Sequence, residues 1–408
     1  MPRASAPLLR FAFASLASTL TAAGAAEAAL DYQVKIERHF APPPEAYWFQ
    51  ARAVAIPGSA LHAASAAPRV LLTMQPHGLK GTHNYRGIAV ALSDDLGATW
   101  RGPVSPPALE ARPLRAPVLE VPVDATPVWH APTGKVLLVG ATFHVDTALQ
   151  RDVARGPSDV CYAVFDPRTE RWAPWQKLAP PRDFEWPYRR AGCVQAVVEP
   201  DGRILLPIYF GDHNNSIHLT TVVRCDFDGS TLRWREAGDS LVIHFGRGYS
   251  EPSLVRFQGR HFLTLRNDRA GYVAAGEGGL RFGPPELWRF DDGEALPTYN
   301  TQHHWLAHDH GLFLIYTRRG ADNDEVFRHR APLLMARVDP AMRRLVRRTE
   351  RVVVPKAGTA AMGNFGVCHV TPHESWIVVA TPPGGSGPDR DVFIARLLWS
   401  RPNGLAEE

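Results

Sequence analysis

The chain has 408 residues, enough for one large all-β domain or two average ones. Its formal net charge is only +4 and no block of basic residues stands out, so nucleic-acid binding is not indicated. The 11 Trp and 10 Tyr exceed what a minimal core requires. Such aromatic residues suit both packing between sheets and stacking on sugars.

The N-terminus has the pattern of an export signal. Arg3 and Arg10 flank a short Ala-rich apolar run, and small residues near Ala26–Ala29 offer A-x-A-like cleavage sites. We therefore expect a signal peptide at residues 1–29 and a secreted or periplasmic protein. The apolar run is short for a transmembrane helix and no second candidate follows, so no membrane span is expected.

From residue 30 onward the sequence repeats short apolar runs that are separated by Gly, Pro and Asp turns, and helical periodicity is nearly absent. The runs form six units with the roughly 40–55-residue period of propeller blades. An early strand at 31–40 is expected to pair into the last unit and close the ring, which removes exposed sheet edges. The units span residues 47–100, 128–175, 195–234, 252–288, 301–350 and 366–400.

The stretch SDDLGATW ends the first unit. Asp95 and Gly97 are turn residues, because Asp bonds its own following backbone and Gly adopts positive φ without steric cost. Thr99 and Trp100 favour a return into a strand. The stretch predicts a hairpin with a self-bonded turn, and Trp100 is large enough to fill a gap between packed sheets.

The pattern S-x-D-x-G-x-T-W at 93–100 resembles the Asp-box (BNR repeat) of the sialidase, or neuraminidase, superfamily, and FDPRTERW at 165–172 resembles a degraded copy. The resemblance implies an all-β fold, a sialidase-like six-bladed β-propeller over residues 30–408. In such a propeller the inner strands point their ends at a funnel on one face, where ligands bind. The Asp-box itself lies far from the funnel, so it bears on architecture more than on the reaction.

The same resemblance implies three arginines that clamp a substrate carboxylate. Arg52 in YWFQARAVAIP is similar to the first, and Arg266 follows Glu251 by about one strand-turn-strand length, as the second does. Arg330 in FRHRAPLLMARV matches the third. Arginine suits this role because its planar guanidinium fits a carboxylate bidentately.

Two reacting groups that the resemblance implies are missing. The family's tyrosine nucleophile, activated by the glutamate, belongs in the last blade, where this chain has Phe365. Its acid/base aspartate precedes the first Asp-box, where TMQPHGLKGTHNYRG offers His77 and His83 but no Asp. Since a phenyl ring cannot attack an anomeric carbon, hydrolysis by the family mechanism is in question.

Other proton-transfer groups lie at predicted strand ends. Tyr249 stands two residues before Glu251, His144 ends VGATFH, and His304 lies in TYNTQHHW. This arrangement resembles propeller enzymes that cleave uronic-acid glycans, such as ulvan lyases, which pair a Tyr with an Arg about one hairpin later. β-Elimination needs a neutralised carboxylate, a base and an acid, which Arg, His and Tyr can supply. The candidate catalytic residues are Glu251, Tyr249, His77, His83, His144 and His304.

The expected function is therefore that of a carbohydrate-active enzyme of the sialidase superfamily, an exo-glycosidase acting on a carboxylate-bearing sugar such as sialic acid. Two alternatives remain open: a lyase or hydrolase of uronic-acid glycans, and an inactive glycan-binding propeller. No HExxH, paired-cysteine or EF-hand pattern occurs, so neither a metal nor a cofactor is expected. The four widely spaced cysteines fit either a disulfide or buried thiols.

Overall fold

The computed structural model describes residues 1, 30–42, 45–61, 67–79, 84–149, 151–153, 156–381 and 391–406. The predicted signal peptide lies outside these residues except for Met1, and so does His83. Six antiparallel sheets form a ring, which confirms the predicted six-bladed β-propeller.

The strands follow one another blade by blade. First comes β1 (Tyr32–His39), and blade 1 then contains β2 (Ala46–Ile56), β3 (Arg69–Gly78), β4 (Ala89–Ser93) and β5 (Arg101–Val104). Blade 2 contains β6 (Arg112–Arg115), β7 (Val118–His130), β8 (Lys135–Asp146), β9 (Arg151–Asp152), β10 (Val160–Asp166), β11 (Arg171–Trp172) and β12 (Gln176–Lys177). Blade 3 contains β13 (Tyr188–Arg190), β14 (Val197–Val198), β15 (Ile204–Gly211), β16 (Leu219–Phe227) and β17 (Leu232–Ala237).

The second half of the ring repeats the plan. Blade 4 contains β18 (Ser250–Phe257), β19 (Arg260–Arg266), β20 (Gly271–Gly276) and β21 (Glu286–Leu287). Blade 5 contains β22 (His304–His308), β23 (Gly311–Tyr316), β24 (Leu333–Asp339), β25 (Arg344–Leu345) and β26 (Arg351–Val354). Blade 6 contains β27 (Phe365–Thr371), β28 (Glu374–Ala380) and β29 (Val392–Trp399).

Helical structure among the described residues is confined to short 3-10 turns. They lie at Gly58–Ala60, Pro107–Leu109, Ala131–Thr133, Phe327–His329, Arg347–Thr349 and Gly404–Ala406. Within the part of the chain that the structure covers, no helix has the length and apolar character needed to cross a membrane.

The blades pack face to face, which explains why their central strands are apolar without alternation. In β28, Trp376 and Val378 pack into the cluster shared with blade 1, whereas Ile377 and Val379 pack into the cluster shared with blade 5. All four are fully buried, because successive side chains of a strand point to opposite faces and both faces meet another sheet.

The N-terminal strand closes the ring as predicted. β1 pairs antiparallel with β29 along its whole length, from Tyr32 opposite Trp399 to His39 opposite Val392. Blade 6 thus combines three strands from the C-terminal end of the described chain with one from its N-terminal end. This pairing ties the two ends of the propeller together and covers the edge of β29.

The turn predicted from SDDLGATW is present between β4 and β5. Asp95 accepts a hydrogen bond from the Thr99 amide at 2.8 Å and another from the Thr99 hydroxyl at 2.6 Å. The Ser93 hydroxyl donates to Asp95 at 2.8 Å and accepts from the Gly97 amide at 2.8 Å. Gly97 has a φ of +84°, which a side chain would oppose. Trp100 then packs between blades, with its ring centroid 6.3 Å from that of Trp376.

Several inner strands are interrupted at the same point. The register shifts between Phe49 and Arg52, between Val123 and Thr126, and between Ser250 and Ser253. At or near the corresponding position in five blades stands a non-glycine residue with positive φ, which is uncommon. These residues are Gln50 (52°), Asp124 (56°), Cys193 (60°), Glu251 (45°) and Asn300 (46°). A bulge of this kind changes the direction of a side chain, so it determines which side chain each blade directs towards the propeller axis.

The four cysteines are free thiols. Cys161, Cys225 and Cys368 lie in β10, β16 and β27, whereas Cys193 lies between strands at one of the positive-φ positions. Burial raises the pKa of Cys161, Cys225 and Cys368 to about 12. Of the two readings that the sequence leaves open, the structure therefore favours buried thiols.

Candidate functional site

A cavity of about 470 Å³ opens where the inner strands bulge. This volume lies within the roughly 300–1,000 Å³ typical of small-ligand pockets. Four of the five positive-φ residues line it, together with Asn364 from the start of blade 6. The wall also contains aromatic residues and an unusual number of arginines. We call this cavity the funnel; the positive-φ residues and Asn364 form its floor.

The funnel carries excess positive charge. Five arginines and three acidic residues line it. Each acidic residue is paired with one arginine, and the pairs are Arg190 with Asp124, Arg247 with Asp268, and Arg266 with Glu251. Arg328 and Arg330 have no carboxylate partner among the residues that the structure describes. A concave site with such a balance attracts anions.

Glu251 and Arg266 form the central ion pair of the floor. Burial opposes the charge on Glu251, but Arg266, Arg330 and Arg247 outweigh it and hold its pKa below the usual range. Its Oε2 is buried without a hydrogen-bond partner in the described structure. Arg266 also donates from Nε to Asn300 Oδ1 at 3.1 Å. Glu251 is therefore an ionised carboxylate with one oxygen free to accept a proton or a hydroxyl group.

Arg330 lies beside this pair and has one hydrogen-bond acceptor among the described residues. Its side chain is buried, with a residue exposure of 8 %, and Nη2 donates to the backbone oxygen of Asn300 at 2.6 Å. Its Nε is buried with no partner among the described residues. Burial and repulsion from Arg266 lower the pKa of Arg330 to about 9. A desolvated cation with too few acceptors is costly, and a bound anion would relieve that cost.

The opposite wall is aromatic. The Arg190 guanidinium lies 4.1 Å from the centroid of the Phe143 ring and donates to the Tyr188 hydroxyl at 3.2 Å. Tyr209 lines the same side, and burial raises its pKa well above the ordinary value despite the opposing charge of Arg190. Tyr209 is therefore a protonated phenol at neutral pH. Such a wall offers both ring faces for a sugar and hydroxyl groups for proton transfer.

His218 stacks on Tyr188, with centroids 5.1 Å apart. Its Nε2 faces the His213 carbonyl at 3.2 Å, so Nε2 carries the proton, and Nδ1 accepts from the Ser250 hydroxyl at 2.9 Å. Burial lowers the pKa of His218 to about 4. The ring is neutral at pH 7 with both nitrogens engaged, which suits the support of Tyr188 better than proton transfer.

Arg52 and His304, both candidates from the sequence, lie beneath the floor and do not line the funnel. Arg52 donates to the Phe365 carbonyl at 2.7 Å and to Gln50 Oε1 at 2.8 Å. Nε2 of His304 lies 3.3 Å from Arg52 Nη1, and its Nδ1 lies 2.9 Å from the Ser253 hydroxyl. These residues fill the propeller axis and hold the floor from below.

Phe365, at the position expected for a tyrosine nucleophile, is fully buried and packs edge-on against His304 at 4.9 Å between centroids. The neighbouring Asn364 lines the funnel instead. No hydroxyl group enters the funnel from this point of blade 6.

Tyr249 and His144 are also absent from the funnel lining. Tyr249 is buried between strands, 5.3 Å from Tyr272 between ring centroids, and burial raises its pKa well above the ordinary value. His144 lies in β8 with its side chain mostly buried, and its Nε2 is 3.3 Å from Oε1 of Glu120 in the neighbouring β7. Neither residue is brought together with Arg266, so their catalytic roles stay predictions without a geometric partner.

His77 lies at the end of β3 and does not line the funnel. Its ring stacks on Tyr47 at 4.7 Å between centroids, Nδ1 lies 2.7 Å from the Gly78 carbonyl, and Nε2 accepts from the Asn84 amide at 3.0 Å. Both nitrogens are engaged in local structure. His83 lies outside the described residues.

Of the predicted site residues, the funnel brings together Glu251, Arg266 and Arg330. Sequence analysis missed the other floor residues and most of the wall. A signal for the floor exists in the sequence: a polar residue followed by Ala or Pro interrupts the apolar start of a unit, as in Gln50-Ala51, Asp124-Ala125 and Glu251-Pro252. The wall residues carry no comparable local pattern. They are Phe49, Tyr85, Phe143, Tyr188, Arg190, Tyr209, Asn214, Asn215, His218, Arg247, Ser250, Asp268 and Arg328.

No three His, Cys, Asp or Glu side chains cluster as metal ligands anywhere in the described part of the chain. The funnel's carboxylates are each engaged by an arginine, so the arrangement presents guanidinium groups, phenols and amides to a ligand. Groups of these types are chemically able to bind an anion and to donate or accept protons.

Solved structures of sialidases share this architecture. The chain aligns with Trypanosoma rangeli sialidase at a TM-score of 0.60 and 14 % identity, over 88 % of this chain and 59 % of that one. The same sialidase in complex with sialic acid aligns at 0.58 and 12 %, over 89 % and 58 %. The K499G mutant of NanB sialidase from Streptococcus pneumoniae aligns at 0.59 and 11 %, over 89 % and 70 %.

The fold is thus the six-bladed β-propeller of the sialidases. The chain spans less than two thirds of the length of Trypanosoma rangeli sialidase. No protein-family model and no curated protein sequence matches it.

Proposed function

We propose that the funnel binds an acidic sugar through its carboxylate and cleaves the glycosidic bond of that sugar, as a sialidase-like exo-glycosidase does. The observation that carries this proposal is the pair Arg266 and Arg330. Arg330 is buried, has no carboxylate partner in the described structure and leaves its Nε without an acceptor. A substrate carboxylate between the two guanidinium groups would supply the missing acceptors.

The proton donor in this proposal is a tyrosine. All three carboxylates of the funnel are paired with arginines, and the pKa values of Glu251 and Asp268 are held below their usual range. A carboxylate in that state cannot protonate a leaving oxygen at neutral pH. Tyr209 keeps its proton at neutral pH, and the charges of Arg190 and Glu251 both act on its pKa. We assign Tyr209 as the acid: it gives its proton to the leaving oxygen and regains one from the water that attacks the anomeric carbon, and Glu251 orients this water through its free Oε2.

The test uses two substrate classes. A fluorogenic sialoside reports hydrolysis through released fluorophore, and uronate polysaccharides report elimination through the ultraviolet absorbance of an unsaturated uronate. Sialoside turnover that disappears in Arg330→Met and Tyr209→Phe supports the proposal. Turnover that survives both changes overturns it, because neither the clamp nor the phenol would then be needed.

Elimination from a uronic-acid glycan is the second candidate, and Tyr188 favours it. Arg190 donates to the Tyr188 hydroxyl, but burial outweighs its charge and raises the pKa of Tyr188, so Tyr188 is a protonated phenol at neutral pH. In an elimination this phenol can give its proton to the leaving oxygen, while the free Oε2 of Glu251 takes the C5 proton of the uronate. Rising ultraviolet absorbance with no release of fluorophore would select this reaction. Saturable binding without either product would instead identify a glycan-binding propeller.

We further propose that the protein acts outside the cytoplasm, as the signal-like pattern at residues 1–29 indicates. Fractionation of cells that express the full chain tests this. Recovery of a shortened protein from the medium or periplasm supports export, and recovery of the full-length chain from the cytosol contradicts it.

A further inference from the structure

A second feature of the funnel lies at its rim, in the segment between β23 and β24. Arg328 belongs to the short turn Phe327–His329 and has a φ of +56°, which a residue with a side chain rarely adopts. Its guanidinium forms no hydrogen bond or ion pair with any described residue. Its contact is with the ring of Phe327, 4.9 Å from the centroid.

The charges around Arg328 are of its own sign. Arg247 and Arg266 both repel it, and burial together with this repulsion lowers its pKa. Asp268, an acidic residue whose charge acts on Arg328, is already paired with Arg247, which donates to it from the backbone at 2.9 Å and from Nη2 at 2.8 Å. An arginine with no ligand to bind would be expected to extend into solvent, away from three other arginines. Arg328 instead lines the cavity.

Phe327 stands beside it with 63 % of its surface exposed. An exposed aromatic ring that contacts a residue of the cavity wall can stack on the flat face of a sugar. The exposed ring and the unpaired guanidinium are adjacent in the chain and in contact. They therefore offer stacking and charge recognition to one unit of a glycan.

We infer that Phe327 and Arg328 form a second anion subsite, which binds a carboxylate or sulfate ester on the sugar next to the one held at the floor. The inference rests on the proposed function, since it assumes that the first sugar places its carboxylate at Arg266 and Arg330. It narrows the substrate class to acidic glycans with charged groups on two consecutive units. Arg328 is the residue that selects them.

The experiment compares ligands that differ in one charge. Binding of a methyl uronide, a diuronate disaccharide and the same uronide linked to a sulfated neutral sugar is measured by calorimetry, at low and at physiological salt. The proteins are the wild type, Arg328→Gln, Arg330→Met and Arg256→Gln. Arg256 is exposed near the far end of β18, so its loss lowers the net charge equally without touching the funnel.

We expect the wild type to bind at least one of the two doubly charged ligands about tenfold or more tighter than the methyl uronide, as one charge-assisted hydrogen bond allows. Arg328→Gln should remove this preference, weakening binding of the doubly charged ligands far more than binding of the methyl uronide, whereas Arg256→Gln should leave the preference in place. A gain for the diuronate alone identifies a carboxylate subsite, and a gain for the sulfated ligand alone identifies a sulfate subsite.

Equal binding of all three ligands, or equal effects of Arg328→Gln and Arg256→Gln, would overturn the inference while leaving the floor proposal intact. Failure of the floor proposal has a different signature. Binding of the methyl uronide would then be insensitive to Arg330→Met, whatever happens at the rim.

Discussion

Two buried arginines of this propeller, Arg52 and Arg330, lie one layer apart along the axis and have opposite surroundings. Beneath the floor, the Arg52 guanidinium donates to the Phe365 carbonyl, to Gln50 and to Gln302. In the floor, Arg330 makes one hydrogen bond to a backbone carbonyl among the described residues and faces other arginines. Both side chains are buried and Nε lacks a partner in each, but both Nη groups of Arg52 have acceptors in the described protein, whereas for Arg330 only Nη2 has one.

The difference separates a structural arginine from a binding one. A buried guanidinium whose two Nη groups both have acceptors in the protein stabilises the fold, and removing it leaves those acceptors unsatisfied. A buried guanidinium without acceptors is a cost that a ligand can offset. The two positions should therefore respond in opposite ways to the same substitution.

The largest expected effect is on turnover in Arg330→Met. Loss of the clamp should reduce kcat/KM by roughly 10³-fold or more, since positioning and charge recognition of the reacting sugar would both fail. Thermal stability should stay the same or rise, because an unsatisfied buried cation is removed. Kinetics and a melting curve on the same preparation check both halves. A large loss of stability would erase the contrast with Arg52.

Arg52→Met should lower stability and have only a small effect on turnover, which is the reverse of the result expected for Arg330→Met. The change leaves the Phe365 carbonyl and two glutamine side chains without their donor, which should lower the free energy of unfolding by about 3 kcal/mol or more. The kcat/KM of the folded protein should fall less than tenfold, since Arg52 does not line the funnel. Chemical denaturation measures the free energy of unfolding. Kinetics normalised by active-site titration measure kcat/KM of the folded protein. If activity falls as far as in Arg330→Met, Arg52 belongs to the site.

A matched pair of glycines sharpens the comparison. A Cβ at Gly363 would lie 2.6 Å from Arg330 Cδ, and one at Gly366 would lie 2.8 Å from Arg52 Cγ. Gly363→Ala should displace Arg330 and weaken binding of an acidic sugar about tenfold, whereas Gly366→Ala should cost about 1–3 kcal/mol of stability with binding unchanged. Calorimetry measures binding and chemical denaturation measures stability for both variants. If the two variants lose binding and stability to the same extent, the floor and the residues beneath it do not have separate roles.

The smallest effect concerns pH. His303 is buried behind Arg266 with both ring nitrogens unpartnered in the described structure, and burial lowers its pKa to about 3. The folded state therefore favours the neutral ring. The contribution of the neutral His303 ring to the free energy of unfolding is fully present above about pH 6.5, the pKa of an unfolded histidine. It is lost as the pH falls toward the folded-state pKa of about 3.

His303→Leu should accordingly flatten the acid side of the stability curve. In the wild type, His303 lowers the free energy of unfolding by about 1.4 kcal/mol for each pH unit between roughly pH 6.5 and pH 3, and this decrease should be absent in the variant. His373→Leu, at an exposed position, is the control and should leave the slope unchanged. Denaturation midpoints across this range measure both variants, and parallel curves for wild type and His303→Leu would contradict the assignment.

The sequence was sufficient for the architecture because its signals are local. The turn at Ser93–Trp100 is closed by its own side chains, and the blade repeat follows from apolar runs buried on both faces. Glu251 and Arg266 were also predictable as a pair, because they belong to one hairpin whose register aligns Ser250 with Arg266.

The choice between Arg52 and Gln50 as the residue that faces the funnel was decided only by the tertiary structure. A strand period of two would send both side chains to the same side, but the bulge and the positive φ of Gln50 separate them. The sequence alone determined six blades, their closure and one ion pair of the floor. Which arginines share a cavity and which lie under it depended on ring closure, because only then do residues from different blades, such as Arg190, Arg266 and Arg330, meet at the axis.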